Sequence, residues 1–175
     1  MKVKISTSVS VVIRIFLWLL MLIGGAWYSV ASDYDNPLFR SFYFHICCAA
    51  VGFIILVFAF RAASNGGKEL SRGRVGDIPR LETNRLVSSG IYSCMRHPML
   101  FGLTLLPLGW ALLLGSPTYI LYVAPIEMLF IVIMVIVFEE MEVEKKFPTA
   151  YDEYRKKVPM ISLRLECLKL LFKRG

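Results

Sequence analysis

Four apolar stretches of near membrane-spanning length constrain what this chain can fold into. They cover about residues 11–30, 42–60, 99–115 and 119–138, and each reaches or approaches the roughly 20 residues that a helix needs to cross a bilayer. Hydrophobic residues make up 57% of the chain, against roughly 45–50% in soluble proteins. Because backbone polar groups in lipid must be paired internally, the sequence predicts an all-α integral membrane bundle of four transmembrane helices. Residues 1–175 are expected to form a single membrane domain.

The formal net charge of +7 follows from basic residues placed at one end of the predicted spans. They precede the first span and occupy the loop 61–97 and the tail 139–175, whereas the turn Ser116-Pro117 is uncharged. The positive-inside rule then predicts a cytoplasmic location for both termini, the loop and the tail. The partner implied is membrane lipid rather than nucleic acid. The basic residues before the tail include Lys2, Lys4, Arg61, Lys68, Arg72, Arg74, Arg80 and Arg85.

The four cysteines show no metal-binding pattern. Cys47 and Cys48 lie inside the second apolar stretch, and Cys94 and Cys167 lie on the predicted cytoplasmic side. Their spacing matches no zinc motif, and thiols in the cytosol are kept reduced. We therefore expect neither a metal site nor a disulfide.

Glycine and proline predict where the helices break. Asn65-Gly-Gly67, Gly73, Gly76 and Pro79 argue against a continuous helix in 61–90. Pro98 suits the first turn of the third span, where its missing N–H costs nothing, and Gly115-Ser-Pro117 predicts a tight hairpin to the fourth. A short helix is expected over Tyr151–Val158 with Tyr151, Tyr154 and Val158 on one stripe. A surface-lying amphipathic helix is expected over Leu163–Phe172.

Polar and ionisable residues cluster where spans three and four reach the predicted cytoplasmic boundary. Arg96-His97 precedes span three and Glu139-Glu140 ends span four, so the hairpin brings a cationic pair and an acidic pair to one depth, near Tyr92, Tyr151 and Tyr154. Such residues often serve as interfacial anchors. Acids at a helix C-terminus oppose its dipole, however, which favours a functional role. This pocket suits a zwitterionic, purine-bearing molecule.

These residues carry a resemblance to a known family. Leu86-Val-Ser-Ser-Gly-Ile-Tyr-x3-Arg-His-Pro-x3-Gly102 resembles the signature of the isoprenylcysteine carboxyl methyltransferase and phospholipid methyltransferase superfamily of membrane enzymes. Glu139-Glu-x2-Val-x3-Phe-Pro-x2-Tyr-x2-Tyr-x3-Val158 resembles its second motif. The likeness covers about residues 77–160, and the first two spans carry no such signature.

The resemblance implies an S-adenosylmethionine-dependent methyltransferase with its cofactor on the cytoplasmic side. Methyl transfer from a sulfonium needs mainly alignment and exclusion of water. Arg96 and Glu140 are assigned to catalysis, and Glu140 is suited to accept a proton from an amine acceptor. Asp77 is a weaker cofactor match. The positions that match cofactor contacts are Asn84, Arg85, Leu86, Val87, Tyr92, His97, Pro98, Met99, Leu100 and Glu139.

Three positions depart from the family pattern. Leu100 stands where the family usually has Tyr, and Pro148 replaces a Gly. Val135 occupies the position, one turn before Glu139, where isoprenylcysteine enzymes carry an Arg for the substrate carboxylate. These departures weaken the case for a prenylcysteine acceptor and leave an amine, a thiol or another lipid-borne or small apolar acceptor open.

The sequence also suggests weaker substrate contacts and leaves two other functions open. Glu127, near the middle of span four, is by default a functional candidate, grouped with Tyr151 and Tyr154 as weaker substrate contacts. The structural alternative is a protonated Glu127 bonded to a carbonyl freed by Pro107 or Pro125. The competing interpretations are an NADPH-dependent membrane reductase of related fold and a non-catalytic membrane protein. The sequence predicts no oligomeric state.

Overall fold

A computed structural model describes residues 7–76 and 83–172, and in these residues the regular secondary structure is entirely helical. Lys2, Lys4, Asp77 and Arg80 lie outside the described residues. The helices are α1 (Thr7–Ser32), α2 (Phe42–Arg72), a 3₁₀ turn (Gly90–Ser93), α3 (Pro98–Leu114), α4 (Ala124–Met134), α5 (Met141–Lys146), α6 (Pro148–Lys157) and α7 (Leu165–Phe172). Residues Tyr119–Lys146 form one continuous helical segment that contains α4 and α5, here termed the 119–146 helix.

Three of the described helices are long and apolar enough to cross a membrane: Ile15–Ser32, Phe42–Arg72 and Tyr119–Lys146. Pro98–Leu114 is equally apolar but shorter. Large hydrophobic side chains on these helices are exposed, as for Phe16 and Phe53, which is the pattern expected of a surface solvated by lipid. The protein is therefore of the integral membrane type, and the count of four spans stays a prediction.

Helices α2 and α3 approach so closely that glycines are required between them. A β-carbon on Gly52 would lie 2.9 Å from the carbonyl oxygen of Gly109, and one on Gly102 would collide with the carbonyl of Ala59. Small residues recur at seven-residue intervals on α2 (Gly52, Ala59 and Gly66). Without a hydrophobic force between helices in lipid, such small-residue contacts drive their association.

As expected, residues 61–90 do not form one continuous helix, because α2 ends at Arg72 with Gly73 as its C-cap. The expected break at Asn65-Gly-Gly67 is wrong, since α2 continues through these residues. Two glycines cost this helix roughly 1 kcal/mol each in propensity. That cost is offset by packing, since Gly66 is buried and leaves room for Met99, whose Cγ would lie 2.8 Å from an added β-carbon. At 31 residues and about 1.5 Å per residue, α2 measures about 46 Å, more than the roughly 30 Å of a hydrocarbon core.

The connection from α3 follows the sequence prediction. Pro98 occupies the first turn of α3, and Gly115 ends it in the left-handed conformation at φ 61°. The 119–146 helix contains two π-helical stretches, Tyr119–Val123 and Val135–Glu140. The second is notable because it carries both glutamates of the predicted site, and π-bulges occur frequently at functional sites.

A buried aspartate joins the end of α1 to the start of the 119–146 helix. Asp33 is 1% exposed and accepts hydrogen bonds from the Ser116 hydroxyl, from the Thr118 hydroxyl at 2.6 Å and from the Thr118 N–H at 2.9 Å. Burial alone would raise the pKa of Asp33, but these hydrogen bonds outweigh it and lower that pKa. The carboxylate thus holds α1 against the hairpin at this end of the bundle.

The tail after residue 146 folds back as two helices. α6 confirms the predicted stripe, with Tyr151, Tyr154 and Val158 buried in one cluster. α7 buries Cys167 and Leu171 against α2 and the 3₁₀ turn, and the Asn65 side chain donates to the Leu171 carbonyl at 2.7 Å. The prediction of a surface helix is therefore only partly met, because one face of α7 packs on protein.

Cys94 and Cys167 form a disulfide, so the expectation that no disulfide forms is wrong. Their separation of 73 residues conceals the pairing in the sequence. Docking of α7 beside the 3₁₀ turn brings the two Cα atoms to 5.5 Å, within the range that a disulfide can bridge.

Candidate functional site

One carboxylate oxygen gathers the polar residues of both predicted motifs. Glu140 Oε1 forms an ion pair with Arg96 Nη1 at 2.6 Å and accepts hydrogen bonds from His97 Nε2 at 3.1 Å and from the Tyr151 hydroxyl at 3.1 Å. The Tyr151 oxygen in turn accepts from Arg96 Nη1 at 3.1 Å. The side chains of Arg96, His97 and Glu140 are only 10–13% exposed, so this is a largely desolvated, charge-assisted network.

Backbone contacts from the tail hold the Arg-His pair in place. The N–H of Arg96 donates to the Pro159 carbonyl at 2.9 Å, and the N–H of His97 donates to the Met160 carbonyl at 3.1 Å. These bonds satisfy donors just before α3 that a helix start would otherwise leave free. The segment that follows α6 therefore holds Arg96 and His97 in position. The π-helical stretch Val135–Glu140 carries the acidic residues of the site.

His97 is held as a neutral imidazole by its surroundings. Burial lowers the pKa of His97 below its ordinary value of 6.5, and although the contact with Glu140 opposes this shift, it does not cancel it. A neutral His97 that donates through Nε2 keeps Nδ1 unprotonated. Burial and then the charge of Glu140 raise the pKa of Tyr151, so that hydroxyl remains a donor at neutral pH.

The aromatic residues form a second wall beside this network. Tyr92 is buried in the 3₁₀ turn, and its carbonyl accepts a hydrogen bond of 2.5 Å from the Tyr154 hydroxyl. Leu86 packs on the cluster of Tyr151 and Tyr154. Burial raises the pKa of Tyr92, and electrostatic interactions with Tyr154, Glu139 and Glu69 raise it further.

The segment predicted to touch a cofactor borders a cavity of about 460 Å³. Arg85, Leu86 and Val87 contribute to its wall. The Asn84 side chain binds the backbone instead. It accepts a hydrogen bond from the Val75 N–H at 3.1 Å and donates one to the Val75 carbonyl at 2.7 Å. Volumes of roughly 300–1,000 Å³ are typical of small-molecule sites. The full lining is Glu69, Arg72, Gly73, Arg85, Leu86, Val87, Ser88, Ser89 and Gly90.

Pro98, Met99 and Leu100 lie in the first turn of α3, and each packs against protein. Pro98 is fully buried, Met99 packs on Gly66, and Leu100 is 2% exposed. Leu100 shares a buried apolar cluster with Ile131 and Val135. Two of the positions where the sequence departs from the family pattern, 100 and 135, therefore belong to one buried cluster between α3 and the 119–146 helix.

Glu127 lies apart from this network. It precedes Glu140 by 13 residues on the same helix, about 20 Å along the axis. Its partner is Tyr119, whose hydroxyl lies 3.0 Å from Glu127 Oε2 and 3.1 Å from the Leu22 carbonyl oxygen on α1. Glu127 therefore bonds to a phenol and not to a carbonyl freed by proline. The single phenolic hydrogen donates to one oxygen only. Both contacts are hydrogen bonds when Glu127 carries a proton and donates to Tyr119.

Sequence reasoning missed Glu69, which stands in the cavity wall beside the predicted cofactor segment. It was missed because the second helix was expected to break at Asn65-Gly-Gly67, whereas α2 continues and carries Glu69 on its last turn. The Asp33 contacts and the Cys94–Cys167 bridge were missed for a related reason. Each joins residues more than 70 positions apart, and no local pattern reports such a contact.

A helical protein of the integral membrane type, with an ion-paired network where its C-terminal helices meet the tail, is the class defined by this fold and site. Within that class, the phospholipid methyltransferase family model matches residues 44–150, more than half of the chain. The protein belongs to this family. No curated protein and no solved structure matches the chain. The matched region includes Tyr92, the Arg-His pair and both glutamates, and it ends one residue before Tyr151.

Proposed function

We propose that this protein is an S-adenosylmethionine-dependent methyltransferase that methylates a lipid-borne or small apolar acceptor. The observation that carries this proposal is the convergence of Arg96, His97 and Tyr151 on one oxygen of Glu140. Family signatures far apart in the sequence supply these residues, and their assembly into one buried network argues for a shared chemical task. Membership of the phospholipid methyltransferase family supports the reaction class.

The residues on this side of the bundle fit the proposed cofactor in size and charge. The cavity of about 460 Å³ is within the range of small-molecule sites, and its wall combines apolar Leu86 and Val87 with basic and acidic groups. When bound, the cofactor would supply an electrophilic methyl group on a sulfonium. Arg85, Leu86, Val87 and Tyr92 would hold it, together with Asn84, His97, Pro98, Met99, Leu100 and Glu139 as the family resemblance implies.

Glu140 would orient the network, and His97 would take part in proton transfer. Glu140 Oε1 is already in contact with Arg96, His97 and Tyr151, which makes it a good anchor for Arg96 and His97. His97 is suited to act as a base in this network, because burial lowers its pKa and keeps the imidazole unprotonated at neutral pH, so that Nδ1 could take a proton from an amine acceptor. Arg96 would then bind an anionic group of cofactor or acceptor.

An apolar acceptor that enters from the bilayer agrees with the surroundings of the site. Leu100, Ile131 and Val135 form a buried apolar cluster on which Trp18 of α1 packs. A carboxylate acceptor would find no cation at position 135. We further propose that α3 is a fourth span, and that the site and both termini face the cytoplasm, as the placement of basic residues favours.

Binding of S-adenosylmethionine to purified protein tests the proposal. We expect saturable binding that His97→Ala and Glu139→Ala abolish, whereas Glu153→Gln, on the exposed face of α6, binds like the unmodified protein. Saturable NADPH binding in place of S-adenosylmethionine binding would support the reductase alternative. Binding of neither cofactor would support a non-catalytic membrane protein.

Transfer of labelled methyl groups identifies the acceptor. Protein incubated with methyl-labelled S-adenosylmethionine and a total lipid extract should label one lipid class, and the labelled class should disappear with His97→Ala. Label found only in water-soluble products would contradict a lipid-borne acceptor.

A further inference from the structure

We propose that Glu69, Arg72 and Arg85 form a binding site for a zwitterion that carries a primary ammonium beside a carboxylate or phosphate. This inference rests on the proposed function, because the amino-acid end of S-adenosylmethionine is the zwitterion that best suits a cavity walled by the predicted cofactor segment. An ethanolamine lipid headgroup has the same chemistry and is the second possible source.

The continuation of α2 through Asn65-Gly-Gly67 to Arg72 is what brings an acid to this cavity. Glu69 lies on the last turn of α2 and its side chain is 23% exposed. The backbone of Gly90 can approach Glu69 because it carries no side chain and adopts φ 58°, a conformation in which a side chain is disfavoured. A β-carbon there would lie 3.0 Å from the Glu69 carboxylate. The carboxylate is therefore held at the cavity wall next to bare backbone.

Two guanidinium groups provide the matching positive charge. Arg72 Nη1 contacts Glu69 Oε1 at 2.5 Å, yet its side chain is 64% exposed, and exposed ion pairs contribute little net stability. Arg85 is exposed and lines the cavity from the other side. An anionic group can therefore engage either arginine without breaking a buried contact, while an ammonium takes the Glu69 carboxylate.

The position of this cavity links it to the predicted site. Leu86 contributes both to the cavity wall and to the cluster of Tyr151 and Tyr154. Glu69 also lies near enough to Tyr92 for its charge to contribute to the raised pKa of that phenol. A cofactor with its amino-acid end at Glu69 would thus lie beside Leu86 and Tyr92, which the family resemblance assigns to cofactor binding.

Three adenosyl ligands separate the amino-acid end from the rest of the cofactor. S-adenosylmethionine and S-adenosylhomocysteine carry the zwitterion, and 5′-methylthioadenosine lacks it. We expect Glu69→Gln and Arg85→Gln to weaken binding of the first two by about tenfold, the loss of one charge-assisted contact, and to leave 5′-methylthioadenosine binding unchanged. Glu153→Gln and Arg155→Gln, both exposed on α6, are the matched controls.

The lipid source is tested with vesicles of phosphatidylethanolamine compared with phosphatidylglycerol. A lipid headgroup in the cavity predicts that Glu69→Gln and Arg85→Gln leave the binding of all three adenosyl ligands unchanged and weaken binding to phosphatidylethanolamine vesicles selectively. Equal weakening of every ligand, or no change in any of them, would overturn the proposal. Since Arg85 is exposed, its variant remains informative if Glu69→Gln fails to fold. Failure of the unmodified protein to bind S-adenosylmethionine would instead refute the proposed function itself.

Discussion

Leu100 on α3 and Val135 on the 119–146 helix lie in one buried cluster, each 2% exposed. The sequence shows them as two separate departures from a family pattern, 35 positions apart. Their shared cluster, completed by Ile131, makes them parts of one apolar region between α3 and the 119–146 helix. The acceptor preference of this protein is therefore expected to depend on both positions together.

A charge at position 135 should be far more damaging than one beside it. Val135→Arg buries a guanidinium in an apolar cluster, and we expect a loss of several kcal/mol in the free energy of unfolding. Ile136→Arg is the control, because Ile136 is 45% exposed and an Arg there can extend toward the interface. Denaturant titration in detergent measures the difference. Equal losses for both variants would contradict the buried placement of Val135.

Acidification below pH 6.5 should destabilise the protein through His97. The pKa of His97 is lower in the folded chain than its ordinary value of 6.5, so the unfolded chain binds more protons in this window. Stability therefore falls as the pH decreases from 6.5 toward the folded pKa. Thermal unfolding followed between pH 7.5 and about pH 5 should show this slope, and His97→Gln should reduce it. An unchanged slope in His97→Gln would rule out His97 as its origin.

Glu127 should be replaceable by Gln but not by Ala. A Gln donates to the Tyr119 oxygen as a protonated Glu does, so we expect Glu127→Gln to retain most of the stability. Glu127→Ala leaves a cavity and removes one of the two partners of the Tyr119 hydroxyl, at a cost of about 2–4 kcal/mol. Tyr119→Phe should also destabilise by about 1–3 kcal/mol, because it leaves the buried carboxyl unpartnered. A destabilisation by Gln as large as that by Ala would argue that Glu127 is bound as an anion.

The Cys94–Cys167 bridge should stabilise the docked tail. Cys167→Ser opens a loop of 73 residues, and removal of a bridge of this span costs about 2–4 kcal/mol. Cys47→Ser, at a free and exposed cysteine, should cost much less. Alkylation of protein extracted under thiol-trapping conditions reports the pairing directly. Because disulfides persist in oxidising compartments, this experiment also tests the cytoplasmic location predicted for this face.

Gly102 should tolerate no side chain, in contrast to Gly67. The β-carbon of Gly102→Ala would collide with the Ala59 carbonyl of α2, whereas that of Gly67→Ala would meet only the Met99 Cε at 3.9 Å. We expect Gly102→Ala to lose about 1–3 kcal/mol by forcing the two helices apart. Gly67→Ala should be neutral or gain up to about 1 kcal/mol in helix propensity. Unfolding of both variants in one detergent measures the contrast.

Patterns along the chain were enough to predict what depends on neighbouring residues. The apolar stretches predicted helices, Pro98 and Gly115 marked the ends of α3, and the spacing of Tyr151, Tyr154 and Val158 predicted the buried face of α6. The proximity of Arg96-His97 to Glu140 was also predicted from their positions at the ends of the third and fourth stretches, and the structure brings these side chains into contact. Each of these features depends on helical periodicity or on the backbone preferences of single residues.

Contacts between distant parts of the chain were beyond the reach of those patterns. Helix α2 passes through two glycines because α3 packs against them, and that packing brings Glu69 to the cavity. Cys94 bonds to Cys167 because α7 docks on α2 and the 3₁₀ turn, and Leu100 and Val135 come from two helices into one cluster. The sequence by itself determined the membrane character and the motif residues, since these depend on local composition and spacing. Tertiary structure decided which residues meet, because packing free energy between helices outweighs local propensity at each of these places.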